Sequence, residues 1–168
     1  MTTSTQSSPP ASTRSAMSHR WCITLLISAA LFAPVTQAAP RFGVGGGVTS
    51  EIQGEQTPVF NVSWLGHARH PWEFSAGYLG RRDRLDSGSI PSTVFAAVSK
   101  RLTWHRWFFS GGVALVDEDN EILSGHGQFY TGAGYEVGSW AVSLRHLSNA
   151  DTGGRNRGET FALVEYRW

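Results

Sequence analysis

His146 and Ser148 are the two residues of this sequence whose types and spacing could do chemistry together. They stand two apart in the run Trp140-Ala-Val-Ser-Leu-Arg-His-Leu-Ser-Asn149. In an extended strand, residues i and i+2 lie about 7 Å apart and their side chains point the same way. A histidine so placed can hydrogen-bond a serine hydroxyl and serve as general base for it as a nucleophile. Alternation puts Val142, Leu144, His146 and Ser148 on one face, an apolar series that two polar groups continue. Spacing alone also fits polar residues at the rim of a sheet. Asn149, Asp151, Asn156 and Glu159 read equally well as ordinary loop residues. The elements around the pair have to decide.

Period-two alternation recurs from residue 41 onward, and no helical periodicity competes with it. Strands are expected near 41–50, 57–66, 71–82, 92–104, 107–117, 127–137, 140–149 and 159–168. Most are about ten residues long, the length a tilted strand needs to cross a bilayer. Tight turns at 67–70, 105–106 and 138–139 alternate with longer polar connections at 51–56, 83–91, 118–126 and 150–158. That alternation predicts an all-β, eight-stranded antiparallel up-and-down transmembrane β-barrel.

The tryptophans agree with this topology. Trp64, Trp72, Trp104, Trp107 and Trp140 all lie near the short turns, and Trp168 ends the chain. They form an expected interfacial belt at one rim. One face of the strands is apolar, with Phe60, Val62 and Trp64, then Trp72, Phe74 and Tyr78, then Trp107, Phe109, Val113 and Leu115. Lys100 breaks this pattern by falling on the apolar face. The opposite face carries Glu73, Glu136, Glu165, Arg145 and Arg167, expected as a buried ion-pair plug in an interior only wide enough for side chains.

Composition suits such a barrel. Only 16% of the 168 residues are charged while 12% are aromatic, and Gly numbers 19. A net charge of +1 offers no basic patch and excludes a nucleic-acid partner. Residues 1–38 read as a secretory signal peptide: Arg14 and Arg20, an apolar run from Trp21 to Ala33, then small residues at the cut. Translation begins at Met1 or Met17. Residues 39–168 then form the barrel domain. The leader removes two of the 14 basic residues and the only cysteine, Cys22, so neither disulfides nor a cysteine metal site is available.

The stretch His146-Leu-Ser-Asn-Ala-Asp-Thr-Gly-Gly-Arg-Asn-Arg-Gly-Glu159 resembles the PagL family of outer-membrane lipid A 3-O-deacylases. His-x-Ser-Asn-Ala matches, followed by an Asn, a Gly and an acid at the start of the last strand. The resemblance implies a serine esterase on the outer wall of the barrel that remodels lipopolysaccharide in the outer leaflet of the bacterial outer membrane, with no metal or organic cofactor. Ser148 would be the nucleophile, His146 the base and Glu159 its orienting acid. Asn149, Asn156 and the amides of Gly153 and Gly154 would be oxyanion or substrate-positioning groups. A site opening sideways into lipid needs lateral access, which a homodimer could gate.

One departure stands out. The family commonly has one residue between the loop Gly and the acid, whereas Gly158 and Glu159 are adjacent. Counting back from Trp168, Thr160 faces outward with the His–Ser face and Glu159 faces inward. Either a bulge re-aims Glu159 or Asp151 completes the triad.

Other motifs carry less. Asp117-Glu-Asp-Asn-Glu121 reads as an acidic outer loop before it reads as a cation site. Arg81, Arg82 and Arg84 are unspecific candidates for phosphate contact. The glycines at 43 and 45–47 precede no helix or Lys-Ser/Thr, so they are small strand residues and not a phosphate loop. The competing readings are a non-enzymatic structural or adhesion barrel and a soluble exported lipid-binding barrel.

Overall fold

Residues whose side chains alternate between apolar and polar pair edge to edge here until the sheet meets itself. The computed structural model describes residues 41–51, 55–83, 88–120, 122–152 and 157–168. The expected signal peptide, residues 1–38, lies outside them. The strands are β1 (Arg41–Thr49), β2 (Pro58–Leu65), β3 (Trp72–Leu79), β4 (Arg82–Asp83), β5 (Ser89–Ile90), β6 (Thr93–Trp104), β7 (Trp107–Val116), β8 (Gly127–Val137), β9 (Trp140–Ser148) and β10 (Glu159–Arg167).

Eight of them close an antiparallel barrel in the order β1-β10-β9-β8-β7-β6-β3-β2. First and last strands pair directly, Val44 opposite Tyr166 and Thr49 opposite Phe161. All eight expected strands are present. A two-stranded ribbon, β4 with β5, was not expected and stands in the long β3–β6 connection.

The wall faces the way alternation requires. Phe60, Val62, Phe74, Phe109, Val113, Leu115 and Leu144 all point out and are about half exposed or more. An apolar exterior of this extent belongs against lipid. Trp72, Trp104, Trp107, Trp140 and Trp168 are exposed at the short-turn end. Lys100 pairs with Trp72 in the β3–β6 register, and its Nζ lies 5.0 Å from the Trp72 ring centroid. The lysine therefore belongs to the belt, its stem on apolar surface and its charge over an aromatic face.

The interior has two storeys. Near the short turns Glu73, Glu136 and Glu165 meet four arginines. Arg145 Nη2 lies 2.6 Å from Glu73, Arg101 Nη1 2.7 Å from Glu136, and Arg167 Nη2 2.8 Å from Glu165. Sequence reading named Arg145 and Arg167; Arg101 and Arg41 join them. A Cβ at Gly45 would collide with the Glu165 side chain, which explains part of the glycine run. Above this plug lies an apolar layer of Val59, Leu79, Phe95, Tyr130, Leu147 and Phe161. Ile122 and Leu123 fold in from the β7–β8 connection to cover it.

Candidate active site

Strand β9 alternates exposed or half-buried residues with fully buried ones. Ala141, Ser143, Arg145 and Leu147 point inward, while His146 and Ser148 share the outer face. The rise from Trp140 to Ser148, at about 3.4 Å per residue and a tilt of about 40°, lifts Ser148 roughly 20 Å above the tryptophan belt. The pair therefore sits at the far edge of an apolar band about 25 Å tall.

Register supplies the neighbours. His146 is opposite Thr131 on β8 and Thr160 on β10, and Ser148 is opposite Phe129. His146 Nδ1 lies 2.9 Å from Thr160 Oγ1. Four polar side chains thus form an island on an otherwise apolar wall. Beside it, at the height of Ser148, Ala96, Val98, Val113, Leu115, Gly127 and Phe129 line an apolar groove of about 480 Å³.

A tight turn ends β9. Asn149 is buried, and its Oδ1 accepts the Asp151 N–H at 2.9 Å. Its Nδ2 donates to the Ser124 carbonyl at 2.6 Å. The Asn149 carbonyl accepts from the Thr152 N–H at 3.0 Å and hydroxyl at 2.7 Å. Ala150 and Asp151 take φ of +50° and +60°, sparsely populated for residues with a Cβ. This backbone directs the Ala150 N–H to Ser148 Oγ at 3.2 Å. Asn149 thus builds the turn from inside the wall. The sequence offered Asn149 as an oxyanion or substrate-positioning group, and the structure instead buries its side chain on the inner side of the wall. Asn156, Gly153 and Gly154 lie outside the described residues.

Glu159 is not brought to His146. It is buried, and its carboxylate takes both Arg82 guanidinium nitrogens, Nη1 to Oε1 at 3.2 Å and Nη2 to Oε2. Arg82 Nη1 also donates to Thr49 Oγ1 at 2.6 Å. The β9–β10 register runs without interruption from Glu159 opposite Leu147 to Tyr166 opposite Trp140. No bulge re-aims the acid, so its parity holds it on the inner side. Arg82 likewise turns inward, away from any external phosphate. Arg81 is exposed and donates to Ser89 Oγ at 3.1 Å, and Arg84 lies outside the described residues. Asp151 is exposed in the turn.

The sequence reading named Gly158 as the motif glycine next to Glu159 but gave it no role of its own. Its φ is +67° and its N–H donates to the Ile122 carbonyl at 3.2 Å. A Cβ there would come within 2.6 Å of His146 Cε1 and 2.8 Å of Nε2. The imidazole rests on bare backbone. Gly158→Ala costs about 1–2 kcal/mol for the left-handed conformation and pushes the ring aside. We expect a loss of stability of at least that size in urea unfolding in detergent micelles, and an unchanged unfolding midpoint would refute this.

The acidic run is structural where described. Asp117 Oδ1 accepts the Val94 N–H at 2.7 Å, and Asp119 Oδ1 accepts the Gly125 N–H at 2.9 Å. Among the described residues no three His, Cys, Asp or Glu side chains gather as metal ligands would.

A family profile described as Lipid A 3-O-deacylase (PagL) matches residues 42–168. A solved structure titled "Crystal structure of the outer membrane enzyme PagL" is similar at 17% identity and a TM-score of 0.46, covering 76% of this chain and 97% of that one. No curated protein matches the sequence. The profile spans the whole barrel and the His146–Glu159 stretch alike, so the chain belongs to the PagL family and is an outer-membrane lipid A 3-O-deacylase.

Proposed function

We propose that His146 and Ser148 carry the deacylation and that it proceeds through an acyl-enzyme. What supports this reading is the polar island itself: a histidine and a serine on the outer face of β9, beside an apolar groove. Ser148 Oγ attacks the carbonyl of the ester at the 3-position of the glucosamine. His146 takes the Ser148 proton, and Nε2 is the ring nitrogen left for this once Nδ1 meets Thr160. As the tetrahedral intermediate collapses, the same proton passes to the leaving sugar oxygen. Water then attacks the acyl-serine, with His146 as base, and releases the fatty acid.

The Ala150 N–H donates to Ser148 Oγ at 3.2 Å and so fixes where the hydroxyl stands. Asn156 and the amides of Gly153 and Gly154 are our candidates for binding the oxyanion, while Asn149 holds the turn that presents the serine. The apolar groove is placed to receive the acyl chain, which packs there in van der Waals contact with Leu115 and Phe129.

The test is a mass spectrum of lipid A from cells producing the wild-type chain beside Ser148→Ala. Loss of one 3-hydroxy acyl mass with the wild type alone supports the reading. A non-enzymatic barrel leaves the spectrum unchanged in both. In the same cells the intact mass of the purified protein should correspond to a chain beginning at Ala39; retention of residues 1–38 would refute cleavage of the leader.

A further inference from the structure

The residue that meets Nδ1 of the proposed catalytic histidine carries no charge. Thr160 Oγ1 lies 2.9 Å from His146 Nδ1, on the strand paired with β9 and directly opposite in register. The carboxylate next to it in sequence is committed to Arg82 on the other side of the wall. We propose that Thr160 takes the third place of the catalytic set as a positioning residue, accepting the Nδ1–H bond so that Nε2 is the unprotonated nitrogen offered to Ser148. This rests on the reading that His146 and Ser148 are the catalytic pair.

Three observations converge on it. A threonine hydroxyl has two lone pairs and can accept from an imidazole N–H, which is what fixing the tautomer requires. Its position is held by the β9–β10 ladder, a more exact placement than a loop residue would have. Its outward position faces lipid, where a carboxylate is costly to desolvate and a hydroxyl much less so. The Arg82–Glu159 pair then serves the site from within. It pins the first residue of β10, and with it the ring-supporting Gly158 and the ring-orienting Thr160 on either side.

A neutral third member orients the ring without stabilising the imidazolium by charge. Its removal should therefore cost less than loss of the base or nucleophile.

The experiment compares wild type, Ser148→Ala, Thr160→Val, Thr160→Ser and the double variant Arg82→Leu/Glu159→Leu on purified lipid A in detergent, after heat-modifiable mobility shows each is folded. Thr160→Val keeps shape and strand propensity but loses the hydroxyl. We expect kcat to fall about 10²-fold with KM within about twofold, the size of a misoriented catalytic group. Thr160→Ser restores the hydroxyl and should recover kcat to within about fivefold of wild type. The double variant removes both inner charges without orphaning either and should keep kcat within about tenfold.

Thr160→Val at the wild-type rate overturns the proposal. So does a Thr160→Ser variant no better than Thr160→Val, which would mean shape and not hydrogen bonding matters. If the double variant falls to the Ser148→Ala background while Thr160→Val stays active, Glu159 is the third member instead. If Ser148→Ala is as active as wild type, the catalytic pair itself is wrong.

Discussion

Replacing Ser148 by alanine should lower 3-O-deacylation by about 10⁴–10⁶-fold, and replacing His146 by alanine should do nearly the same. On the proposed mechanism the two act as one unit: without the base the hydroxyl is a weak nucleophile, and without the hydroxyl the base has no proton to take. The double variant should therefore be no worse than either single one, leaving only what binding and oxyanion stabilisation supply. Neither change should disturb the barrel. Both side chains point outward at the end of β9, and neither joins the inner plug or the apolar layer. Release of 3-hydroxy fatty acid is the assay, and unfolding of each variant in detergent is the control. Single variants that multiply in the double, or that keep more than about a hundredth of wild-type activity, would show that the pair is not a nucleophile and its base.

The legible and illegible parts of this molecule divide along a physical line. Strand positions, facing and the tryptophan belt depend on residue parity and on turns of a few residues, and these are local. Parity even disclosed that Thr160, and not Glu159, shares a wall face with His146. What joins Thr160 to His146 is the β9–β10 register, which depends on how residues 149–158 span the gap. The ring's seat on Gly158 depends on the same closure. The fate of Glu159 depends on Arg82, 77 positions away and reaching in from the ribbon end of the β3–β6 connection. No local pattern pairs them. Lys100 shows the same limit in small: its misfit on the apolar face was visible, but its resting place over Trp72 comes from the β3–β6 register.

Removing the Glu73 carboxylate should be the most destabilising single change inside the barrel. Glu73 is fully buried; Arg145 Nη2 donates to its Oε1 at 2.6 Å, with Arg167 at 3.8 Å and Arg101 at 3.9 Å. With Glu73→Gln, four arginines face only Glu136 and Glu165, and a guanidinium buried without its partner cannot return to water while the barrel stays closed. Breaking a buried pair from one side costs about 3–5 kcal/mol. We expect a loss of that size, read from urea unfolding in detergent micelles. Glu73→Leu combined with Arg145→Met removes both charges and should cost clearly less than the sum of the single changes, because no unpaired ion is left between them. Glu73 points into the barrel near the short turns, whereas His146 and Ser148 point out near the long loops. Folded Glu73→Gln protein should accordingly deacylate at close to the wild-type rate per molecule. A cost below about 1 kcal/mol would mean that the remaining carboxylates re-pair with the arginines, and that the plug is a fluid charge pool and not a set of fixed partners.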